Sequence, residues 1–270
     1  MTTETIDYEA LKTRQQIAWS TGDYPRVGNT LQTMAERLVE AAEVHAGQRV
    51  LDVACGQGNV ALAAARRFAD ATGIDYVPDL LVQGRARAEA EHLPVELTQA
   101  DAENLPFPEA SFDKTLSTVG VMFAPHQEQA AAELLRVTRP GGTIGLVSWT
   151  PAGMIGAMFK VIGTYAPPPA GVRSPMLWGT PERLTELFGD EVSWTFTTRT
   201  FDFVYRSPEH FSEWFRLYYG PITKLAGTLD EATAVVFAAD LANVARQFNR
   251  AEDGTCLAAS EYLEAVGTRR

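Results

Sequence analysis

Three aspartates and two glycines are the residues of this chain whose types and spacing point to chemistry. Gly56 and Gly58 sit in Asp52-Val53-Ala54-Cys55-Gly56-Gln57-Gly58-Asn59, where an apolar run breaks into a tight turn before a helical pattern. Such a turn lets backbone N–H groups at the start of a helix approach a ligand closely. Gly56-x-Gly58-x-x-Ala61 also satisfies a dinucleotide fingerprint whose third position tolerates alanine, so the glycines alone fit an NAD-type cofactor. Asp52 shifts the balance, because it stands four positions before Gly56, where a pyrophosphate site carries an apolar residue. A carboxylate there suits a ligand with a cationic end, whose ammonium it can hold directly or through water. The plainer alternative is a carboxylate that only braces or caps the turn.

Asp75 lies 17 positions beyond Gly58 at the end of a second apolar segment, where a strand-end acid can accept hydrogen bonds from both ribose hydroxyls. A helix-capping role is its alternative. Asp101 ends a third such segment and can receive an exocyclic amine of adenine, with the Ala102 N–H meeting a ring nitrogen; otherwise it is a turn aspartate. Acids at three successive strand ends are more specific than the glycines.

These residues require a particular frame. Residues 6–46 show helical spacing, interrupted by the turn-rich Gly22-Asp23-Tyr24-Pro25-Arg26-Val27-Gly28-Asn29, read as a loop or as a lid whose Tyr24 touches a ligand. Strands are expected at 49–53, 71–76, 95–101, 114–119 and 143–149. Helices after Gly58 and at 79–91 and 127–138 alternate with them, the last stopping at Arg139-Pro140-Gly141-Gly142. That alternation predicts a doubly wound, parallel α/β sheet with right-handed crossovers. Beyond 150, prolines at 151, 167–169 and 175 surround an apolar helix at 153–165. Segment 192–205 has strand composition, 208–219 and 230–250 are amphipathic helices, and 255–266 is a last strand.

Composition narrows the function classes. With 23 Lys and Arg against 34 Asp and Glu, the net charge of −11 and the lack of a basic run argue against nucleic acid as a partner. Cys55 and Cys256 are too few for a disulfide framework, which fits a cytoplasmic protein. Residues 1–5 lack the basic start of a leader, and no apolar run is long enough for membrane insertion.

The successive motifs Val50–Gly58, Gly73-Ile74-Asp75, Gln99–Phe107, Ser111-Phe112-Asp113 and Leu135–Gly142 together resemble class I S-adenosylmethionine-dependent methyltransferases, with a flavour similar to the ubiquinone and menaquinone biosynthesis branch. The resemblance covers roughly residues 45–150. It implies a Rossmann-like, mostly parallel seven-stranded sheet ending in an antiparallel pair, which makes 192–205 strand six and 255–266 strand seven with a helical cap at 208–250 inserted between them. The whole chain then reads as a single domain: a helical lid at 1–45, a cofactor-binding core at 46–150 and acceptor-side segments at 151–270.

For the cofactor, S-adenosylmethionine, the resemblance implies Gly56 and Gly58 along the methionine moiety, and Asp52, Ala54 and Asn59 count with them as cofactor-binding candidates. Asp75 falls on the ribose, Tyr76 beside the adenine, Asp101 with Ala102 on the adenine edge, and Ser117 and Thr118 flank the sulfonium; Glu103 and the lid residue Tyr24 are further cofactor-binding candidates. The reaction implied is C- or O-methylation of a small-molecule acceptor, phenolic, quinol-like or a natural product. An NAD-dependent oxidoreductase and a non-catalytic S-adenosylmethionine-binding protein remain as alternatives. No metal is implied, and no catalytic residue stands out. Of the four histidines, His126 lies nearest the expected methyl position; His45 and His92 precede strands at the far end, and His210 falls in the insert. Aromatics crowd 178–219 as ordinary core or as an apolar acceptor pocket, which Met122-Phe123 and 154–159 would help to line. A homodimer is compatible with the sequence.

Overall fold

The computed structural model of the protein describes residues 6–270. The reading of residues 1–5 as lacking a leader's basic start therefore falls outside the described residues. Seven strands form one sheet in the order β3-β2-β1-β4-β5-β7-β6. They are β1 (Arg49–Val53), β2 (Asp70–Asp75), β3 (Val95–Gln99), β4 (Phe112–Thr118), β5 (Thr138–Trp149), β6 (Val192–Tyr205) and β7 (Cys256–Arg269). The first five pair in parallel, and β7 lies antiparallel between β5 and β6. The chain steps outward from β1 to β3, then crosses back to β4 and β5. That reversal opens a crevice between β1 and β4 at their carboxyl ends, the place where such sheets take ligands.

Helices cover both faces. In chain order they are α1 (Tyr8–Trp19), α2 (Tyr24–Gly28), α3 (Gln32–Ala41), α4 (Asn59–Ala65), α5 (Pro78–Ala90), α6 (Gln127–Val137), α7 (Met154–Tyr165), α8 (Pro181–Phe188), α9 (Pro208–Tyr218), α10 (Gly220–Ala226) and α11 (Glu231–Phe248). Covering on both sides explains why Val50, Leu51 and Val53 of β1 are fully buried and why the strand reads as a continuous apolar run. Val60 to Ala65 of α4 are buried as well; their small side chains let this helix lie close against β1 and β2, which fixes the loop between β1 and α4. Among the described residues no helix is long and apolar enough to cross a membrane.

The doubly wound sheet and the helical insert between β6 and β7 agree with the expected architecture. Several boundaries differ. The turn-rich segment 22–29 contains the short helix α2, started by Pro25 in its first turn after Asp23. Strand β3 ends at Gln99, so Asp101 lies two residues past it, in a tight turn bridged to Asn104. Strand β5 begins at Thr138, through the Arg-Pro-Gly-Gly segment, because a register shift against β4 between Phe112 and Lys114 absorbs its irregular start. Helices α8 and α10 were not expected; each carries a proline in its first turn, at Pro181 and Pro221.

Candidate functional site

The loop after β1 is built on left-handed backbone. Ala54, Gly56 and Gly58 have φ values of 53°, 55° and 80°, and Gly58 is the residue from which α4 begins. Asp75 braces this loop: its Oδ2 accepts the Gly56 N–H at 2.8 Å and its Oδ1 accepts the Val77 N–H at 2.8 Å. Asp52 accepts the Val60 and Ala61 N–H groups at 3.1 and 3.0 Å, both on Oδ2, and so caps the first turn of α4. An ionised carboxylate offers about four lone-pair directions, so these bonds leave both acids capacity for a ligand. Burial pushes Asp52 up to about 7, opposed by its two N–H donors and aided by the charge of Asp75. Burial likewise pushes Asp75 up to about 6 against its own backbone donors. A cation delivered to this end would return both acids to the charged form.

Strand β4 supplies the opposite wall. Val119, a β-branched residue at φ 54°, turns the chain sharply after the strand. Gly120 then passes so close to β1 that a Cβ on it would lie 2.2 Å from the Ala54 carbonyl oxygen. Two strained turns thus interlock at the floor of a cleft of about 920 Å³.

Helix α1 lies across this cleft, with Lys12, Gln15 and Trp19 in its lining. Lys12 Nζ is 2.7 Å from Asp101 Oδ2, 3.3 Å from Glu103 Oε2 and 2.6 Å from Glu9 Oε1. Burial opposes the Lys12 charge, yet the hydrogen bonds to Asp101 and Glu9 outweigh it and hold the ammonium above its ordinary value. The Glu103 N–H occupies the other Asp101 oxygen at 2.9 Å. Gln16 Nε2 donates to the Tyr76 carbonyl at 2.5 Å.

Tyr24, Asp52, Ala54, Gly56, Asn59, Asp75, Tyr76, Asp101, Ala102, Glu103 and Thr118 are brought together in the cleft lining. Two expected site residues stand elsewhere. Ser117 is buried behind the wall, its hydroxyl donating to the Val53 carbonyl at 2.6 Å and accepting the Val121 N–H at 2.9 Å, because alternate strand residues face opposite sides and only Thr118 turns inward. Gly58 forms the turn beneath the lining, and a Cβ there would meet Leu97 of β3 at 3.6 Å. Asn59 lines the cleft, but its side chain ties the loop to α2 and α5 through the Gly28 carbonyl and Arg87. His126 precedes α6, gives its backbone N–H to Glu103 and packs its ring on Tyr8 at 4.4 Å, outside the lining. His210 caps its own turn by accepting the Arg206 N–H. Among the described residues no group of three metal-ligating side chains occurs.

Three buried oxygens in the lining, Gln15 Oε1, Gln57 Oε1 and Thr118 Oγ1, have no hydrogen-bond partner. With the carboxylates they make the wall rich in acceptors. Such a wall fits a ligand that carries an ammonium, sugar hydroxyls and an amine. Sequence reasoning missed Lys12, Gln15 and Trp19, since nothing in the pattern of α1 said which face would cover the cleft. Gln57, between the two glycines, was in view and went unread.

A second, smaller void of about 330 Å³ adjoins the cleft and shares Trp19, Tyr24, Leu31, Val119 and Phe123 with it. Val27, Trp149, Ile155, Met158, Phe203, Phe215 and Tyr219 complete its wall. Trp19 stands between the two spaces, its ring 5.0 to 5.4 Å from those of Phe123, Tyr219 and Tyr24. None of its lining residues is an acid, a histidine or a basic residue. Burial raises the Tyr24 and Tyr219 hydroxyls above their ordinary range, so both stay protonated.

Residues 50–142 match a family model described as a methyltransferase domain. An uncharacterized protein of Mycobacterium tuberculosis is 40% identical over 223 residues, 81% of each chain. A demethylmenaquinone methyltransferase of Deinococcus radiodurans is 36% identical over 141 residues, 50% of this chain and 58% of that one. Among solved structures, the YcgJ protein of Bacillus subtilis superposes with a TM-score of 0.60 at 20% identity, over 88% of this chain and 99% of that one, a likeness of fold.

Proposed function

Since the chain belongs to the class I S-adenosylmethionine-dependent methyltransferases, we propose that it binds S-adenosylmethionine in the cleft and methylates the carbon or oxygen of an apolar small molecule held in the adjoining void. The observation that carries this reading is the acceptor-rich wall: strand-end acids around the glycine loop, with three unpartnered buried oxygens among them. Bound there, the cofactor supplies a methyl group made electrophilic by its sulfonium.

The protein's own part is to bind, orient and exclude water. In this reading Asp52 and the loop at Gly56 hold the ammonium end, Asp75 takes the ribose, and Tyr76, Asp101 and Ala102 border the adenine. Thr118, Gly120 and Tyr24 border the reacting end, where the cleft meets the aromatic void. Alignment at close range supplies on the order of 7–11 kcal/mol to such a transfer. Helix α1 and the ring of Trp19 screen the junction from solvent. With no carboxylate, imidazole or amine in its lining, the void offers no charged general base, so a phenol, quinol or carbon acid must enter already ionised, its proton lost to solvent before the methyl is transferred and the neutral thioether leaves. The Deinococcus relative is named for a quinone-type substrate, which supports an apolar acceptor. We take the lid, core and acceptor-side segments as one domain, in keeping with a hydrophobic core that runs through all of them.

The test is release of S-adenosylhomocysteine from S-adenosylmethionine over a panel of phenols, quinols, activated carbon acids and amines. Turnover with the apolar phenols, quinols or carbon acids is expected. Turnover confined to charged amines would contradict the acceptor class, and cofactor binding with silence across the panel would favour a non-catalytic binding protein.

A further inference from the structure

Helix α1 presents one face to the cleft, and the residues on it are ordered. Tyr8, Lys12, Gln15 and Trp19 follow one another at spacings of four, three and four, which puts them in a row, the last three in the cleft lining and Tyr8 just beyond it. At one end Tyr8 packs on His126 and Lys12 holds Asp101 and Glu103. At the other, Trp19 meets Phe123 and Tyr219 at the aromatic void. Gln15 lies between them, about 4.5 Å along the axis from Lys12 and about 6 Å from Trp19 at the helical rise. Gln16 pins the same stretch to the Tyr76 carbonyl, one residue past Asp75.

A ligand with its base at Asp101 and its reacting group at the aromatic void must pass its middle beneath Gln15. Asp75 lies in the lining of that same cleft. Gln15 Oε1 is buried in the lining without a hydrogen-bond donor. An amide oxygen in that state is costly to leave unpaired, and the protein places no N–H or O–H on it. No donor of the lining, neither the Lys12 ammonium nor the Thr118, Tyr24 or Tyr76 hydroxyl, bonds to it, so the missing partner is a donor carried by the ligand.

The geometry points to Gln15 as a cofactor-binding residue that accepts a hydrogen bond from a ribose hydroxyl of the bound nucleoside. The inference rests on the cofactor reading above. It adds a contact from α1 to a site otherwise built from the sheet and from Tyr24 of α2, and it makes the seat of α1 over the cleft part of cofactor binding. Lys12 anchors the helix so that Gln15 arrives at the right height.

Calorimetric titration of wild type and Gln15→Met with two probes tests this: S-adenosylhomocysteine, and 5′-methylthioadenosine, which keeps the nucleoside and lacks the amino-acid end. The variant should bind both probes about tenfold more weakly, the scale of one buried hydrogen bond with its acceptor removed. Its melting temperature without ligand should be equal to wild type or higher, since the substitution removes an unpaired buried oxygen; this separates lost binding from lost folding. Unchanged affinity for S-adenosylhomocysteine would overturn the inference. So would a loss confined to S-adenosylhomocysteine, which would put Gln15 on the amino-acid end. Failure of the wild type to bind either probe would instead overturn the cofactor reading on which it rests.

Discussion

The cleft and the aromatic void meet at Trp19 and Tyr24, yet they are built by different means. The cleft is walled by strained backbone turns and by carboxylates that accept named N–H groups and keep lone pairs free for a ligand. The void is walled by side chains from α1, α2, β5, α7, β6 and α9, packed largely edge to face and without a charge among them. One space offers direction and charge, the other shape. A donor site of the first kind fits in a short stretch of chain, whereas an acceptor site of the second needs distant segments to converge.

The contrast can be broken first at the floor. Gly120→Val should destabilise the protein by about 3 kcal/mol or more, because its Cβ meets the Ala54 backbone in the loop after β1 and neither wall can yield. Urea denaturation and calorimetry would read the loss of stability and of S-adenosylhomocysteine binding together. A stable variant with normal binding would show that the interlocked turns are not needed.

Removing an oriented acid comes next. Asp75→Ala leaves the Gly56 and Val77 N–H groups without their partner and deletes a ligand acceptor; binding of S-adenosylhomocysteine should weaken by about 1.5–3 kcal/mol. Equal affinity would mean that the acid only braces the loop.

Asp52 tests charge more gently. Its folded-state value of about 7 lies above the ordinary 3.8, so the fold favours its protonated form. Its contribution to ligand-free stability is therefore retained at low pH and lost as pH rises from about 4 through 7. Asp52→Asn can still accept the Val60 and Ala61 N–H groups; it should be more stable than wild type by about 1–2 kcal/mol at pH 8 and show no such gain near pH 4. Binding of the cationic cofactor to the variant should fall at pH 8. Thermal melts across that range would expose a missing pH dependence.

The smallest effect on the cleft is expected from the other space. Ile155→Phe fills part of the void and should change stability by less than about 1.5 kcal/mol. Affinity for S-adenosylhomocysteine should stay as in wild type while turnover of a large acceptor falls. A matching loss of cofactor affinity would show that the two spaces are not independent.

The same difference explains what could be read from the chain beforehand. That Asp52, Asp75, Asp101 and the glycine loop share one cleft was legible because each lies at or within a few residues of the end of a strand, and strand ends converge on one edge of a doubly wound sheet. Ser117 and Thr118 were both expected in the site, and the pleat admits only one of them. Lys12, Gln15 and Trp19 were not legible, since α1 contributes a single buried residue, Leu11, and its amphipathic pattern is too weak to say which side is covered. Aromatics such as Phe203 and Phe215 looked like core, and they are core; only their convergence with Trp149 and Tyr219 makes them a wall. Helix α8 did announce itself through Thr180-Pro181, whose hydroxyl caps the Arg183 N–H, a start signal that went unused.

The central claim is that strand-end carboxylates select a cofactor with a cationic end over a pyrophosphate one. Its most direct test is calorimetric titration of the protein at pH 8 with S-adenosylmethionine and, separately, with NAD. The account predicts saturable one-site binding of S-adenosylmethionine and none of NAD. Binding of NAD with no heat from S-adenosylmethionine would contradict it.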